Sequence, residues 1–223
     1  MRLSVLLLFL AGSAVFAAVP PALDAALKNF RSDPPPGWSF TQTTTAEGRS
    51  TVERCDAAKP EFARWSLVQK DGRAPAAAEL TDYAEARSRR SRSGTAPRIT
   101  EQLLLETLET VADGAERATY RCRLRRGETR DDTAQHLRAT IVLLKSSATI
   151  ESIELASAEP FRPSFGVKID RMRTLMTYSA PGATAPSLPQ AVTTLVRGTA
   201  FWFKSVDGDM SVTFSDYERA VKR

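Results

Sequence analysis

The chain has 223 residues, of which 42% are hydrophobic and 26% are charged, with a formal net charge of +5. These proportions are those of a globular protein and exclude an intrinsically disordered or fibrous chain. The charge is modest for this length, and it favours at most a basic surface for anionic lipid headgroups or glycans.

Residues 1–17 have the pattern of a secretory signal peptide. Arg2 precedes an apolar run over residues 3–10, which is too short to span a bilayer. Small residues then lead to a predicted cleavage after Ala17, and no cysteine follows that would carry a lipid anchor. Arginine greatly outnumbers lysine, as in GC-rich bacterial genomes. We therefore expect a periplasmic protein with one domain over residues 18–223 and no nucleic-acid partner.

The first part of the mature chain predicts one helix, three strands and a second helix. Apolar residues recur at helical spacing over residues 23–30. Residues 38–45 and 49–55 flank a short Gly-containing hairpin loop, and residues 62–69 form a third strand. The second helix is an insertion over about 75–93, which is Ala-rich at first and basic in its second half.

The rest of the chain predicts antiparallel hairpins. The predicted strands cover residues 103–112, 116–125, 136–145, 149–157, 167–178, 192–204 and 209–214. Residues 116–125 alternate between apolar and polar side chains, so one face of this strand should be buried. Repeated crossover helices are absent from the pattern, which excludes a parallel sheet. The predicted fold is mainly β (α+β): a curved antiparallel sheet or incomplete β-barrel of about ten strands, with helices covering its concave face.

The sequence predicts no catalytic residue, no metal and no cofactor. It contains no Gly-x-Ser-x-Gly elbow, no zinc-ligand spacing and no Gly-rich phosphate loop. The one histidine, His136, lies where a charged loop enters a strand, which favours a solvated surface position over catalysis. The carboxylate pairs at residues 131–132 and 207–209 are typical of turns.

Cys55 and Cys122 are the two cysteines of the chain. In an oxidising compartment such a pair is a candidate disulfide. The alternative is two buried thiols that never come within bonding distance.

Bulky apolar side chains on the predicted strands and helices are candidates for lining a ligand cavity. They are Trp38, Phe40, Trp65, Leu67, Leu80, Tyr83, Tyr120, Phe201 and Phe203. These residues form either an ordinary core or a cavity beneath a movable helical lid that admits a lipid or an acyl chain. Arg121, Arg123 and Arg125 lie on the polar face of one strand and are candidates for contacting a headgroup or a partner's carboxylates. The alternative for these arginines is a solvated face.

Four short stretches are similar to those of a group of exported bacterial proteins. They are Arg-Trp-Ser-Leu at 64–67, Lys-Asp-Gly-Arg at 70–73, Phe-Arg-Pro at 161–163 and Ser-Asp-Tyr at 215–217. With the signal peptide, the antiparallel half-barrel and the helical insertion after the third strand, the layout resembles the periplasmic lipoprotein-carrier (Lol-type) superfamily. Those proteins hold acyl chains in a hydrophobic cavity between sheet and helices.

The resemblance implies a non-enzymatic carrier for a lipid or a lipidated ligand, with peripheral membrane contact and no transmembrane span. It assigns no binding residue. Two alternatives stay open: an envelope structural or interaction protein with a solid core, and a hydrolase for envelope glycans or lipids.

Overall fold

The computed structural model describes residues 18–90, 98–126 and 133–220. The predicted signal peptide, the last residues of the predicted basic helix and the carboxylate pair at 131–132 lie outside these ranges. Within them, no helix is both long enough and apolar enough to cross a bilayer.

Two helices and twelve strands form the described chain. In chain order they are α1 (Pro21–Asn29), β1 (Trp38–Ala46), β2 (Arg49–Cys55), β3 (Trp65–Lys70), α2 (Ala77–Arg90), β4 (Leu103–Asp113), β5 (Arg117–Leu124), β6 (Leu137–Leu144), β7 (Thr149–Ser157), β8 (Phe161–Ser164), β9 (Val167–Tyr178), β10 (Pro189–Ala200), β11 (Lys204–Ser205) and β12 (Gly208–Arg219). The predicted mainly β fold is confirmed.

All twelve strands belong to one antiparallel sheet. Ten of them follow each other in the order β3-β2-β1-β12-β10-β9-β7-β6-β5-β4, while β8 pairs with β9 and β11 pairs with β10. The first and the last long strands, β1 and β12, are neighbours. The described parts of the edge strands β3 and β4 do not pair with each other, so the sheet is open.

The main apolar core lies between α1 and strands β4 to β7. Leu23, Ala26 and Leu27 are buried on one side of α1, at the spacing that places side chains on one helix face. Strand β6 alternates between buried and half-buried positions, and its buried residues Ile141 and Leu143 join the same core. Each such side chain contributes about 1.5–3 kcal/mol by leaving water. This core covers one half of the sheet.

The C-terminal hairpin differs from the prediction. The predicted strand over 192–204 ends at Ala200, and residues 201–203 form a tight turn in which the backbone N–H of Phe203 donates to the Ala200 carbonyl at 3.3 Å. Tyr217, which lies beyond the predicted strand over 209–214, belongs to the long strand β12. This strand pairs with both β1 and β10, and its register against β1 shifts at Asp216, which has a φ of 52°.

The predicted disulfide is also wrong for this structure. Cys55 ends β2 and Cys122 lies in β5, and both are buried free thiols. Six strands separate β2 from β5 along the sheet. Burial raises the pKa of both thiols, that of Cys122 to about 11.

Candidate functional site around helix α2

A row of apolar side chains crosses the β1–β2–β3 end of the sheet. In the strand register Phe40 lies opposite Cys55, and Cys55 lies opposite Trp65. The Phe40 and Trp65 rings meet edge to face, with their centroids 5.4 Å apart. Phe40 also contacts the ring of Tyr217 at 5.7 Å, and Trp38 contacts Tyr217 at 6.4 Å. Trp65 is therefore held in place by an aromatic cluster of several strands.

A buried carboxylate lies next to this row. Glu53 of β2 is 6% exposed, and side chains from β1 and α2 donate to it. The hydroxyl of Tyr83 donates to Glu53 Oε1 at 2.8 Å, and the Arg87 guanidinium lies 3.2 Å from the same oxygen. Gln42 Nε2 donates to Glu53 Oε2 at 3.3 Å. We call these four residues the Glu53 cluster; they compensate the buried charge and connect α2 to the sheet.

The Arg87 side chain also contacts two rings. Its Cζ lies 3.8 Å from the centroid of the Trp65 ring and 5.8 Å from that of Tyr83. Such a cation–π contact contributes about 0.5–1 kcal/mol at an exposed site, and more where water is excluded. Burial raises the pKa of the Tyr83 hydroxyl to about 12, so it remains a donor across the physiological range.

The beginning of α2 is held by a second ionic contact. Arg73 donates two hydrogen bonds to Glu79, at 2.8 and 2.9 Å, and Lys70 lies 3.0 Å from the same carboxylate. The backbone N–H of Ala76, just before the helix, donates to Glu79 Oε2 at 2.8 Å, which is one half of a capping box. These donors, the Arg73 side chain first, lower the pKa of Glu79 to about 2.

Helix α2 is thus bound to the sheet mainly by polar contacts. The half-buried face of the helix consists of Glu79, Tyr83, Ala86 and Arg87, and none of residues 77–89 is fully buried. Leu80, the leucine of this helix, is 44% exposed. A helix with so little apolar burial separates from its sheet at low energetic cost compared with one in a packed core.

Two cavities flank Tyr83 and Arg87. The first, of about 480 Å³, is lined by Glu61, Phe62, Trp65, Tyr83, Ala84, Arg87 and Ser88. The second, of about 280 Å³, lies between α2 and strands β2 and β3, with Leu67 in its wall. Phe62 is 93% exposed and stands at the rim of the first cavity. Together these cavities form a groove that offers aromatic rings on one side and a guanidinium group in the middle.

The structure brings together only some of the predicted cavity residues. Trp65, Leu67 and Tyr83 line the groove, and Phe40 and Trp38 lie behind it in the aromatic cluster. Tyr120 belongs to the main core on the other half of the sheet.

Phe201 and Phe203 lie away from the groove at α2. They are 53% and 87% exposed, because they lie in the turn between β10 and β11 and not on a strand face. Their predicted position on a strand is wrong, and neither is among the residues that line the cavities beside Tyr83 and Arg87.

The predicted headgroup arginines are on a different part of the sheet. Arg121 and Arg123 are exposed on β5, where they alternate with buried core residues, and Arg125 follows the strand. Seven strands separate β5 from β3 along the sheet. The cation that accompanies the aromatic rings is therefore Arg87.

A larger groove, of about 720 Å³, lies over strands β9, β10 and β12. Two of its arginines are already paired. Arg197 donates to both carboxylate oxygens of Asp209 at 2.8 Å, and Arg173 donates to Glu154 at 2.7 Å. Arg87 is likewise paired with Glu53, so pairing alone does not separate the two grooves. The larger groove is the weaker candidate because no aromatic ring is among the residues that line it.

The lone histidine has an aromatic neighbour. The His136 ring stacks on Phe161, with centroids 4.7 Å apart. Within the described ranges, no three His, Cys, Asp or Glu side chains are grouped as metal ligands.

Sequence reasoning missed three components of the groove. Glu53 and Cys55 share the inward face of β2, and a carboxylate at an inward position is the signal that identifies it. Phe62, predicted at the start of the third strand, lies instead in the single helical turn before β3. Arg87 lies in the basic half of the predicted helix, where no pattern sets it apart from the neighbouring arginines.

No protein-family model, no curated protein and no solved structure matches this chain.

Proposed function

We propose that the protein binds an amphiphile, a lipid or a lipidated ligand, in the groove beside helix α2, and that it does so in the periplasm as a carrier without catalytic chemistry. The observation that supports this most is the Arg87 guanidinium 3.8 Å above the Trp65 ring, at the centre of the groove. Aromatic rings suit an apolar chain, and a guanidinium suits a carboxylate or phosphate headgroup.

The size of the groove fits this class of ligand. Small-molecule sites have volumes of about 300–1,000 Å³, and the cavity at Trp65 has about 480 Å³. Helix α2 would act as a cover that moves away when the ligand enters, because its contacts with the sheet are polar and can be exchanged for water.

The test is a titration of the delipidated full chain with a fluorescent fatty acid, 11-(dansylamino)undecanoic acid. We expect saturable binding of one equivalent, and at least tenfold weaker binding for Trp65→Ala and for Arg87→Ala. Trp202→Ala and Arg123→Ala are the matched controls, since both residues are exposed away from the groove. Absence of saturable binding, or equal losses in the control variants, would refute the proposal.

The second candidate is a structural or interaction protein of the envelope. The observation in its favour is the packed core between α1 and β4 to β7, in which Leu23, Ile141 and Ile153 are fully inaccessible. An organic extract of natively purified protein separates the two candidates: a stoichiometric lipid supports the carrier, and a lipid-free protein with a reproducible protein partner supports the interaction role.

A further inference from the structure

Two neighbouring turns expose four aromatic rings at one end of the sheet. Phe165 lies in the turn between β8 and β9 and is 90% exposed. Phe201, Trp202 and Phe203 lie in the turn between β10 and β11 and are 53%, 82% and 87% exposed. We call these four residues the aromatic tip. Large apolar side chains are rarely left in water together unless the site contacts another molecule.

The two turns are in direct contact. The backbone N–H of Phe201 donates to the Gly166 carbonyl at 2.6 Å, and Val167 pairs with Ala200 in the strand register. A Cβ atom at Gly166 would lie 3.0 Å from a ring carbon of Phe201, so the Phe201 ring rests on the glycine. The four rings therefore form one surface and not two separate loops.

The turn that carries Trp202 has an unfavourable backbone. Phe201 and Trp202 have φ angles of 48° and 66°, in the left-handed region that costs most residues roughly 1–2 kcal/mol. Tight hairpin turns of this kind usually place Asn and Gly at these positions. Trp202 and Phe203 are largely exposed at this strained turn, so their rings contribute little to the core, which points to a function for their exposure.

The charges next to the rings are mainly basic. Residues 161–169 and 199–206 contain Arg162, Lys168 and Lys204, while Asp170 pairs with Lys168 and Asp207 follows the second turn. Arg162 and Lys204 are exposed beside the rings. Aromatic residues and basic side chains together are characteristic of the membrane–water interface, where rings enter the headgroup region and cations contact anionic lipids.

We infer that the aromatic tip docks the protein onto an anionic lipid bilayer. At these exposures the four rings offer roughly 470–780 Å², no more than the about 800 Å² per partner that a stable protein interface buries. A bilayer needs no complementary shape, so a small convex tip with flanking cations is sufficient for it. This surface is separate from the groove at Trp65, and it would bring that groove close to a source of amphiphiles.

The test measures binding of the full chain to vesicles of phosphatidylglycerol and phosphatidylethanolamine, with phosphatidylcholine vesicles as the neutral comparison. All variants carry the same N-terminal residues, so these residues contribute equally to the vesicle binding of each variant. We expect the partition coefficient of F165S/W202S/F203S to fall at least tenfold, with Phe201 kept because it packs on Gly166. Phe62→Ser is the matched control, since it removes an equally exposed ring from another surface.

Two further measurements locate the contact. Brominated lipids should quench part of the tryptophan emission, and this part should be lost in Trp202→Phe, which keeps a ring at the tip. The R162E/K204E variant should lose the preference for anionic vesicles. The inference is overturned if the triple variant binds vesicles as well as the parent chain, if Phe62→Ser loses as much, or if the tip variant changes only the oligomeric state.

Ligand binding in the groove and membrane docking by the aromatic tip can be refuted independently. The triple tip variant should bind the dansylated fatty acid as the parent chain does, while Trp65→Ala should bind vesicles normally.

Discussion

Replacing Tyr83 with phenylalanine removes one hydroxyl group from the Glu53 cluster and leaves the ring in place. The hydroxyl donates to a Glu53 oxygen at 2.8 Å and accepts from Arg87 Nε at 3.2 Å, and the Glu53 carboxylate is 6% exposed. Hydrogen bonds to charged groups contribute about 1.5–3 kcal/mol, and a buried carboxylate that loses a donor is at the costly end of this range. We therefore expect the free energy of separating α2 from the sheet to fall by about 2 kcal/mol.

Hydrogen exchange of the backbone amides of α2 is the appropriate assay. A decrease of 2 kcal/mol corresponds to about 30-fold faster exchange when opening is rapid. Amides of β5 to β7 should exchange at the parent rate, because the main core contains no residue of α2. The change should therefore be local and not global.

Tyr217→Phe is the matched control for this variant. Its hydroxyl donates to the Pro189 carbonyl at 2.8 Å, also in a partly buried environment, but it lies in β12 away from α2. We expect faster exchange near β10 and β12 and no change in α2. If both variants accelerate α2 equally, or if Tyr83→Phe leaves α2 unchanged, the reasoning that polar contacts hold this helix is refuted.

Three further outcomes follow from the geometry. At pH 8 a disulfide reagent should react with Cys122 about a hundredfold more slowly in the folded chain than after unfolding, since its pKa is about 11 rather than 9.0; equal rates would contradict its burial. The Glu79 carboxylate, whose pKa is lowered to about 2, should stabilise the start of α2 above pH 4.5 and lose this effect as the pH falls towards 2. A carboxyl NMR titration should show this, with the pKa returning towards 4.5 in Arg73→Ala. Trp202→Gly should raise the free energy of unfolding by about 1 kcal/mol, since glycine adopts the positive φ without strain. The same substitution should weaken vesicle binding. Trp202→Ala keeps the backbone strain and should not stabilise the chain.

The strand hairpins could be predicted because their signals are local. Strands β1 and β2 are joined across Gly48, and β4 and β5 across residues 114–116, which overlaps the gap between the predicted strands 103–112 and 116–125. Alternation in β5 identified its buried face, including Cys122. Pairing of β1 with β12 could not be predicted in this way. It joins segments about 170 residues apart, and neither segment has a sequence pattern that identifies the other as its partner.

Prediction of the groove and of the aromatic tip would have required knowledge of long-range contacts in addition to local sequence patterns. Glu53 is buried among partners that are distant in sequence, such as Tyr83 and Arg87, which lie thirty or more residues later in the chain. Phe201 and Trp202 favour a strand by propensity, and the turn that they form follows from the pairing of β10 with β11 and β12. In both places long-range contacts override the preference of the individual residue.

The cover proposed for α2 has a kinetic consequence that distinguishes it from a fixed wall of the groove. If the ligand enters only when α2 is separated from the sheet, both the association and the dissociation rate are proportional to the open population. Tyr83→Phe should then raise both rates by up to about 30-fold, while the equilibrium affinity stays within a few-fold of the parent value. If Tyr83 is instead a ligand contact in a permanently open groove, the association rate is unchanged and only dissociation becomes faster. Stopped-flow mixing with the dansylated fatty acid measures both rates, and equal acceleration of the two is the result that requires a moving helix.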